Sequence, residues 1–267
     1  MSRIKECFKE KKAFIGFLTA GDPSLEKTEE LIAAMERGGA ALIEIGIPFS
    51  DPVAEGKVIQ EANVRALSAP EGCSTEQIFA MVERVRKRVS VPLVFLTYLN
   101  PVFNYGYEAF CRRCQEAGIS GLIIPDLPFE ERGELEEIAD GFGVELISLI
   151  APTSMDRIRR ISEKAKGYIY LVSSMGVTGV RQEITTDLES LVHQIRQVTD
   201  IPVAIGFGIS TPKQAQAYSK LADGIIVGSA IVRLIAEHGE NAAEPVEAYV
   251  RSMAKALNPC TDSFAEK

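Results

Sequence analysis

Ala41-Leu42-Ile43-Glu44-Ile45-Gly46-Ile47-Pro48-Phe49-Ser50-Asp51-Pro52-Val53-Ala54-Glu55-Gly56 begins as an apolar run and ends in a loop punctuated by Pro and Gly. The run reads as a buried strand. Glu44 interrupts it, and a carboxylate inside an apolar strand is costly unless it has a partner or a task. Glu55 lies eleven positions on, in the loop. One acid on a strand and a second on the loop that follows suit general acid/base chemistry.

The same unit recurs along the chain. Apolar runs at 13–18, 41–47, 93–98, 121–125, 144–150, 168–172, 202–205 and 224–227 alternate with amphipathic stretches at 24–37, 75–88, 107–117, 129–140, 154–164, 187–198 and 212–220. Alternation of this kind indicates parallel strands joined by crossover helices. Val91-Pro92 and Ile201-Pro202 lead into strands, while Gly38-Gly39, Ala117-Gly118 and Ala222-Asp223-Gly224 close helices ahead of the next strand. Eight such units with no low-complexity linker predict an α/β fold, a single (β/α)8 TIM barrel over residues 1–267. An open doubly wound sheet is the alternative. Ile4, Cys7, Phe8 and Lys11 share one helical face, which predicts a short amphipathic helix over one end of the barrel. Stretches 230–238 and 243–257 predict further helices after the last strand, packed outside.

In such barrels chemistry gathers at the C-terminal ends of the strands. Residues suited to it do follow the strands: Ser50 and Asp51 after the second, Asn100 after the third, Asp126 after the fourth, and 173–179 after the sixth. Gly206-Phe207-Gly208 and Gly228-Ser229 follow the seventh and eighth and open onto helices, where backbone N–H groups approach an anion closely. Together with Gly176-Val177-Thr178-Gly179 they predict a phosphate site. If Ile43, Ile45 and Ile47 face the helices, Glu44 points into the barrel. Burial would then raise its pKa towards neutrality. A core Glu paired with Lys or Arg is the alternative, but no basic residue lies on the inward phase of the neighbouring strands. Thr178 is a candidate hydrogen-bond partner for Glu55. Phe17, Leu96, Tyr98, Ile123, Tyr170 and Phe207 are expected to wall an apolar pocket suited to a flat aromatic group. Tyr170 joins Glu44 and Glu55 as a candidate catalytic residue, with a packing role for these tyrosines left open.

Composition narrows the function. The net charge of −8 argues against nucleic acid as the main partner. No stretch approaches the ~20 apolar residues of a membrane span, and the charged N-terminus lacks the apolar core of a signal peptide. Five cysteines, an odd number, fit a reducing compartment, so a cytoplasmic protein is expected. Cys111-Arg112-Arg113-Cys114 falls inside a helical pattern without a second pair, which makes it structural rather than a zinc or redox motif. Asp51 and Asp126 lack companions at ligand spacing, and no metal is expected. No Walker loop, catalytic triad or strand-borne Schiff-base lysine is present.

Phe17-Leu18-Thr19-Ala20-Gly21-Asp22-Pro23, Glu44 to Pro52, Tyr170-Leu171-Val172-Ser173, Gly176 to Gly179, Gly206-Phe207-Gly208-Ile209 and Gly228-Ser229-Ala230-Ile231-Val232 together resemble the tryptophan synthase alpha chain family, in order and spacing. The resemblance implies a lyase that cleaves indole-3-glycerol phosphate to indole and glyceraldehyde 3-phosphate. It also implies an alpha2-beta2 complex with a beta chain that joins the channelled indole to serine. Pyridoxal phosphate would belong to that beta chain, with no cofactor in this one. Glu44 then matches the acid that moves protons at indole C3 and the glycerol hydroxyl, and Glu55 the acid that stabilises positive charge at the indole nitrogen. Gly179, Gly208, Gly228 and Ser229 match phosphate contacts, with Tyr170 and Thr178 flanking. Pro48, Asp51, Asn100, Phe103 and Asn104 match surface that meets the beta chain. The family usually has Asp at Glu55 and Pro at Lys57. Those departures keep open a second reading, a weakly catalytic regulatory subunit that binds phosphate ligand and activates the beta chain. A different sugar-phosphate barrel, an isomerase or epimerase, would be expected to show a Lys, His or Cys at a strand end, and none is found.

Overall fold

Residue alternation on the strands sorts the core into two layers. The computed structural model describes residues 3–152, 155–172, 185–206 and 208–259. Its strands are β1 (Ala13–Thr19), β2 (Leu42–Gly46), β3 (Leu93–Leu96), β4 (Ile119–Ile123), β5 (Glu145–Leu146), β6 (Ser148–Ile150), β7 (Ile169–Val172), β8 (Val203–Gly206) and β9 (Gly224–Val227). Every pairing between them is parallel. Ile15, Leu42, Val94, Ile123, Ile147, Tyr168, Tyr170, Ala204 and Ile226 cluster inside the barrel. Their neighbours in sequence, among them Phe14, Ile43, Ile45, Phe95 and Ile205, pack outward against the helices.

The sheet runs β5-β4-β3-β2-β1-β9-β8-β7-β6, so its two edges are consecutive pieces of one stave. The expected fifth strand is therefore split at Ile147. Its first piece pairs with β4 and its second with β7. Ile147 N–H still donates to Leu122 O at 2.8 Å. The Arg132 guanidinium meets the break, donating to Ser148 Oγ at 2.8 Å and to Leu146 O at 3.3 Å. The second bond gives the Leu146 carbonyl a partner where the strand breaks, and the first ties the Ser148 side chain across it.

Around the barrel lie α1 (Arg3–Glu6), α2 (Leu25–Gly38), α3 (Lys57–Leu67), α4 (Thr75–Val85), α5 (Leu99–Tyr105), α6 (Tyr107–Ala117), α7 (Gly133–Gly141), α8 (Met155–Glu163), α9 (Thr185–Arg196), α10 (Pro212–Ser219), α11 (Ser229–His238) and α12 (Ala243–Leu257). Ser24 Oγ caps α2 by accepting from Lys27 N–H, and Gly39 ends it at φ 100°, a left-handed turn that favours glycine. α1 is shorter than expected and stops before Lys11. Ile4 is nonetheless fully buried, and Cys7 and Phe8 pack on the same inner cluster, closing the N-terminal end of the barrel. Helices α3 and α5 are additions to the expected pattern, and both follow strands at the opposite, C-terminal end.

Candidate active site

Glu44 sits on the inward face of β2, level with Phe17 on β1 and Val94 on β3. It is 1% exposed. Tyr168 O–H donates to its Oε1 at 2.6 Å, while Oε2 is buried with no hydrogen-bond partner among the described residues. Burial pushes the carboxyl up to about 7 against the opposing pull of the Tyr168 hydroxyl. No cation among the described residues contributes to that balance, in keeping with the lack of basic residues on the inward phase. The Tyr168 phenol is itself held well above its ordinary pKa, first by burial and then by the Glu44 charge, so it stays a donor. A second buried oxygen without a partner among the described residues is Thr19 Oγ1, which shares the inward phase of Phe17 at the top of β1.

Glu55 occupies the loop after β2, one residue before the Gly56 that begins α3. Asn63 Nδ2 donates to Glu55 Oε2 at 2.7 Å, and Gln60 Nε2 donates to the Glu55 carbonyl at 2.8 Å. Partial burial raises this carboxyl to about 6, opposed by the Asn63 hydrogen bond. The proposed partner Thr178 lies outside the described residues. Tyr98 serves the same loop: its hydroxyl accepts from Ala54 N–H at 3.1 Å, and its ring stacks on Phe49 with centroids 5.1 Å apart.

Phe17 crosses the barrel mouth. Its ring lies so close to Gly46 that a Cβ there would sit 2.7 Å from it, and at Gly228 a Cβ would sit 3.2 Å away. Phe17 forms a cluster with Ala62 and Val232 against which Val58, Ile59 and Leu96 pack, so Phe17 and Leu96 share one apolar patch. Ile123 lies in the inner cluster with Tyr170. The Tyr170 hydroxyl lies over Gly206, where a Cβ would come within 2.5 Å, which requires glycine at that position. Of the two tyrosines on this stave it is Tyr168, absent from the expected site, that binds Glu44.

The two glycine ends differ. At α10, Thr211 Oγ1 accepts from Gln214 N–H, and the Gln214 side chain accepts from Ser210 and Thr211 N–H, so these amides are already engaged. At α11 the first helical bond runs from Val232 N–H to Gly228 O, and no side chain caps the helix. The amides of Ser229, Ala230 and Ile231 thus present the helix's positive end at the barrel mouth. Gly208 has φ 74°, and no described atom lies within 4 Å of where a Cβ would be. Phe207 and Gly179 lie outside the described residues.

Asp126 is explained by structure: its Oδ1 accepts from Leu99 N–H at the start of α5. Asp51 accepts from Ser50 Oγ at 2.5 Å. Among the described residues no three His, Cys, Asp or Glu side chains gather to hold a metal. No described strand carries a lysine. Nor is any helix among the described residues long and apolar enough to cross a membrane. Cys111 and Cys114 are buried free thiols in the outer core, consistent with a structural role. Asp51, Asn100, Phe103 and Asn104 are exposed on the loops and short helix beside the mouth, whereas Pro48 is buried within the chain.

The chain is similar to known proteins over nearly its whole length. The family described as tryptophan synthase alpha chain matches residues 4–258. A tryptophan synthase alpha chain of Lacticaseibacillus casei is 49% identical over 258 residues, covering 97% of this chain and 96% of that protein. One from Lactiplantibacillus plantarum is 51% identical, with 97% of each covered. Among solved structures, the tryptophan synthase subunit alpha of Legionella pneumophila superposes with a TM-score of 0.86 at 35% identity, covering 96% of this chain and 98% of that one. A chain from the tryptophan synthase a2b2 complex of Pyrococcus furiosus gives 0.84 at 36% identity, covering 91% and 98%.

Proposed function

This chain belongs to the tryptophan synthase alpha chain family, and we propose that it cleaves indole-3-glycerol phosphate with Glu44 and Glu55 as its acid–base pair. The reaction is a retro-aldol scission. A proton is delivered to indole C3, the adjacent glycerol hydroxyl loses its proton, and the carbon–carbon bond between them breaks. Its electron pair remains with the indole, and the hydroxyl carbon becomes the aldehyde of glyceraldehyde 3-phosphate.

The observation that carries this reading is Glu44: a buried carboxyl on the inner face, oriented by Tyr168 through one oxygen, with the other oxygen unengaged among the described residues. A group titrating near 7 can give a proton to C3 and accept one from the hydroxyl at neutral pH. Glu55, held beside the mouth, is suited to bear negative charge towards the indole N–H as positive charge develops there. The phosphate would dock at the open α11 N-terminus, with Gly208 adding a close backbone approach. Phe17, Leu96 and Ile123 supply apolar walls for the ring.

The proposed partner is a beta chain in an alpha2-beta2 assembly, with pyridoxal phosphate on the beta chain and no cofactor here. Exposed Val53, Phe103, Asn100 and Asn104 offer a mixed apolar and polar docking face. The reading is tested by indole release from indole-3-glycerol phosphate, alone and with a beta chain. Turnover is expected in both, larger in the complex. Absence of turnover in both overturns it in favour of a regulatory subunit.

A further inference from the structure

We propose that Asn63, on α3, is a positioning residue that fixes the Glu55 carboxylate at the barrel mouth, so that the loop acid is aimed from a rigid helix rather than from its own loop. The proposal rests on the reading of Glu55 as the charge-stabilising acid.

A glutamate on a loop has three side-chain torsions and no fixed direction. Misplacement of an acting group by about 1 Å can cost roughly 100-fold in rate. Here the uncertainty is removed at three points. Tyr98 holds the Ala54 N–H, Gln60 holds the Glu55 carbonyl, and Asn63 holds Oε2. Asn63 is 4% exposed and lies on the buried face of α3 with Ala62 and Ala66. That helix is itself fastened, because Arg65 makes two 2.8 Å bonds to Asp22 on the loop after β1. Asn63 thus sits on a braced element and reaches one carboxylate oxygen. Oε1 takes no hydrogen bond among the described residues.

The length of the acid matters to this geometry. An aspartate at position 55 falls about one methylene short of Asn63 Nδ2 unless the loop moves. Among the described residues around Glu55, Asn63 is the group that favours its ionised form. Lys57 faces Glu61 at 3.7 Å on the solvent side, and Arg65 is engaged by Asp22. Asp126 bonds the Leu99 amide, and the Tyr98 phenol is pushed up to about 12. Loss of the Asn63 donor therefore raises the pH at which Glu55 ionises.

The test compares Asn63→Leu, Asn63→Asp, Glu55→Asp, Glu55→Gln and the double variant Asn63→Leu with Glu55→Asp. Each is assayed for indole release across pH in the complex with a beta chain, and thermal melts establish folding. A hydrogen bond to a charged group contributes enough that Asn63→Leu is expected to lower kcat about 10- to 100-fold with little change in KM. The acid limb assigned to Glu55 should move to higher pH, further still in Asn63→Asp, where a second carboxylate replaces the donor. Glu55→Asp should lose a similar factor, and adding Asn63→Leu to it should cost little more. Folded Asn63→Leu and Asn63→Asp enzymes with wild-type kcat and an unmoved limb overturn the proposal while leaving Glu55 in place. A Glu55→Gln enzyme at the wild-type rate overturns the Glu55 reading itself, and the proposal with it.

Discussion

Tyr168 and the barrel interior act on Glu44 in opposite directions, and their balance sets the pH at which this residue can work. Burial disfavours the carboxylate and the phenolic O–H favours it, which leaves the group near 7. Tyr168→Phe removes the favouring partner alone. The expected result is a limb of the indole-release profile displaced to higher pH, with Glu44→Gln losing at least about 100-fold in kcat, the scale of general acid–base catalysis. The same balance has a stability consequence. A carboxyl at about 7 when folded and near 4.5 when unfolded binds more protons in the folded state. Its stabilising contribution is full below 4.5 and lost as pH rises through 7, amounting to roughly 3 kcal/mol. Glu44→Gln should therefore raise Tm by several degrees at pH 8 and scarcely at pH 5, as calorimetry at the two pH values would show; an equal effect at both would contradict the assigned burial cost. The inward phase of Glu44 was legible because the isoleucines on either side declare the outer face. Its hydroxyl partner was not, since Tyr168 stands 124 residues away and is one of two tyrosines on one strand.

Helix α3 links the β1 loop to the loop acid, and it was the element least visible in the sequence. It begins at Gly56 without a side-chain cap, directly after a loop rich in Pro and Gly. Val58, Ile59 and Ala62 turn towards Phe17 while Val64 and Leu67 are exposed, so the stretch shows no clean apolar stripe. α5 was hidden by its brevity and by Pro101. The striped α2, α4 and α6, and α10 with its Thr211 capping box, were by contrast plain from sequence to within a few residues. Asp22, 2% exposed, depends on Arg65 for its compensation. Arg65→Met leaves that carboxylate buried and unpaired, and a loss of about 2 kcal/mol is expected in a urea melt, reduced from the fully buried case because the guanidinium is partly exposed. Indole release should fall in the same variant, since α3 carries Asn63 and Gln60. A destabilised variant with unaltered kcat would show that the β1 loop and α3 are coupled for folding only.

At the scale of the molecule, the two ends of the barrel have separate duties. The N-terminal end is sealed by Ile4, Cys7 and Phe8 beneath Tyr168, and the stave split at Ile147 closes the sheet through continuous chain. Closure was predictable from the eightfold repeat, but the split was not, because Val144 to Ile150 reads as a single strand and the bonds that Arg132 makes there are tertiary. The C-terminal end carries both the acids and the exposed apolar side chains, Val53 at 79% and Phe103 at 67%. Val53 adjoins Ala54, whose N–H is held by Tyr98, and Tyr98 is the residue that begins the helix bearing Phe103. A beta chain resting on Phe103 and Val53 would therefore press on the loop that carries Glu55, which gives partner docking a direct route to the acid. Phe103→Asp places a charge where an apolar contact is expected and touches none of the buried core. The affinity for a beta chain should fall about 10- to 100-fold, as for loss of a central aromatic anchor, with Tm within about a degree of wild type because so exposed a side chain contributes little to folding. Sedimentation of the mixed chains at graded concentrations measures the first and calorimetry the second; unchanged association would remove this face from the proposed interface and, with it, the route from docking to Glu55.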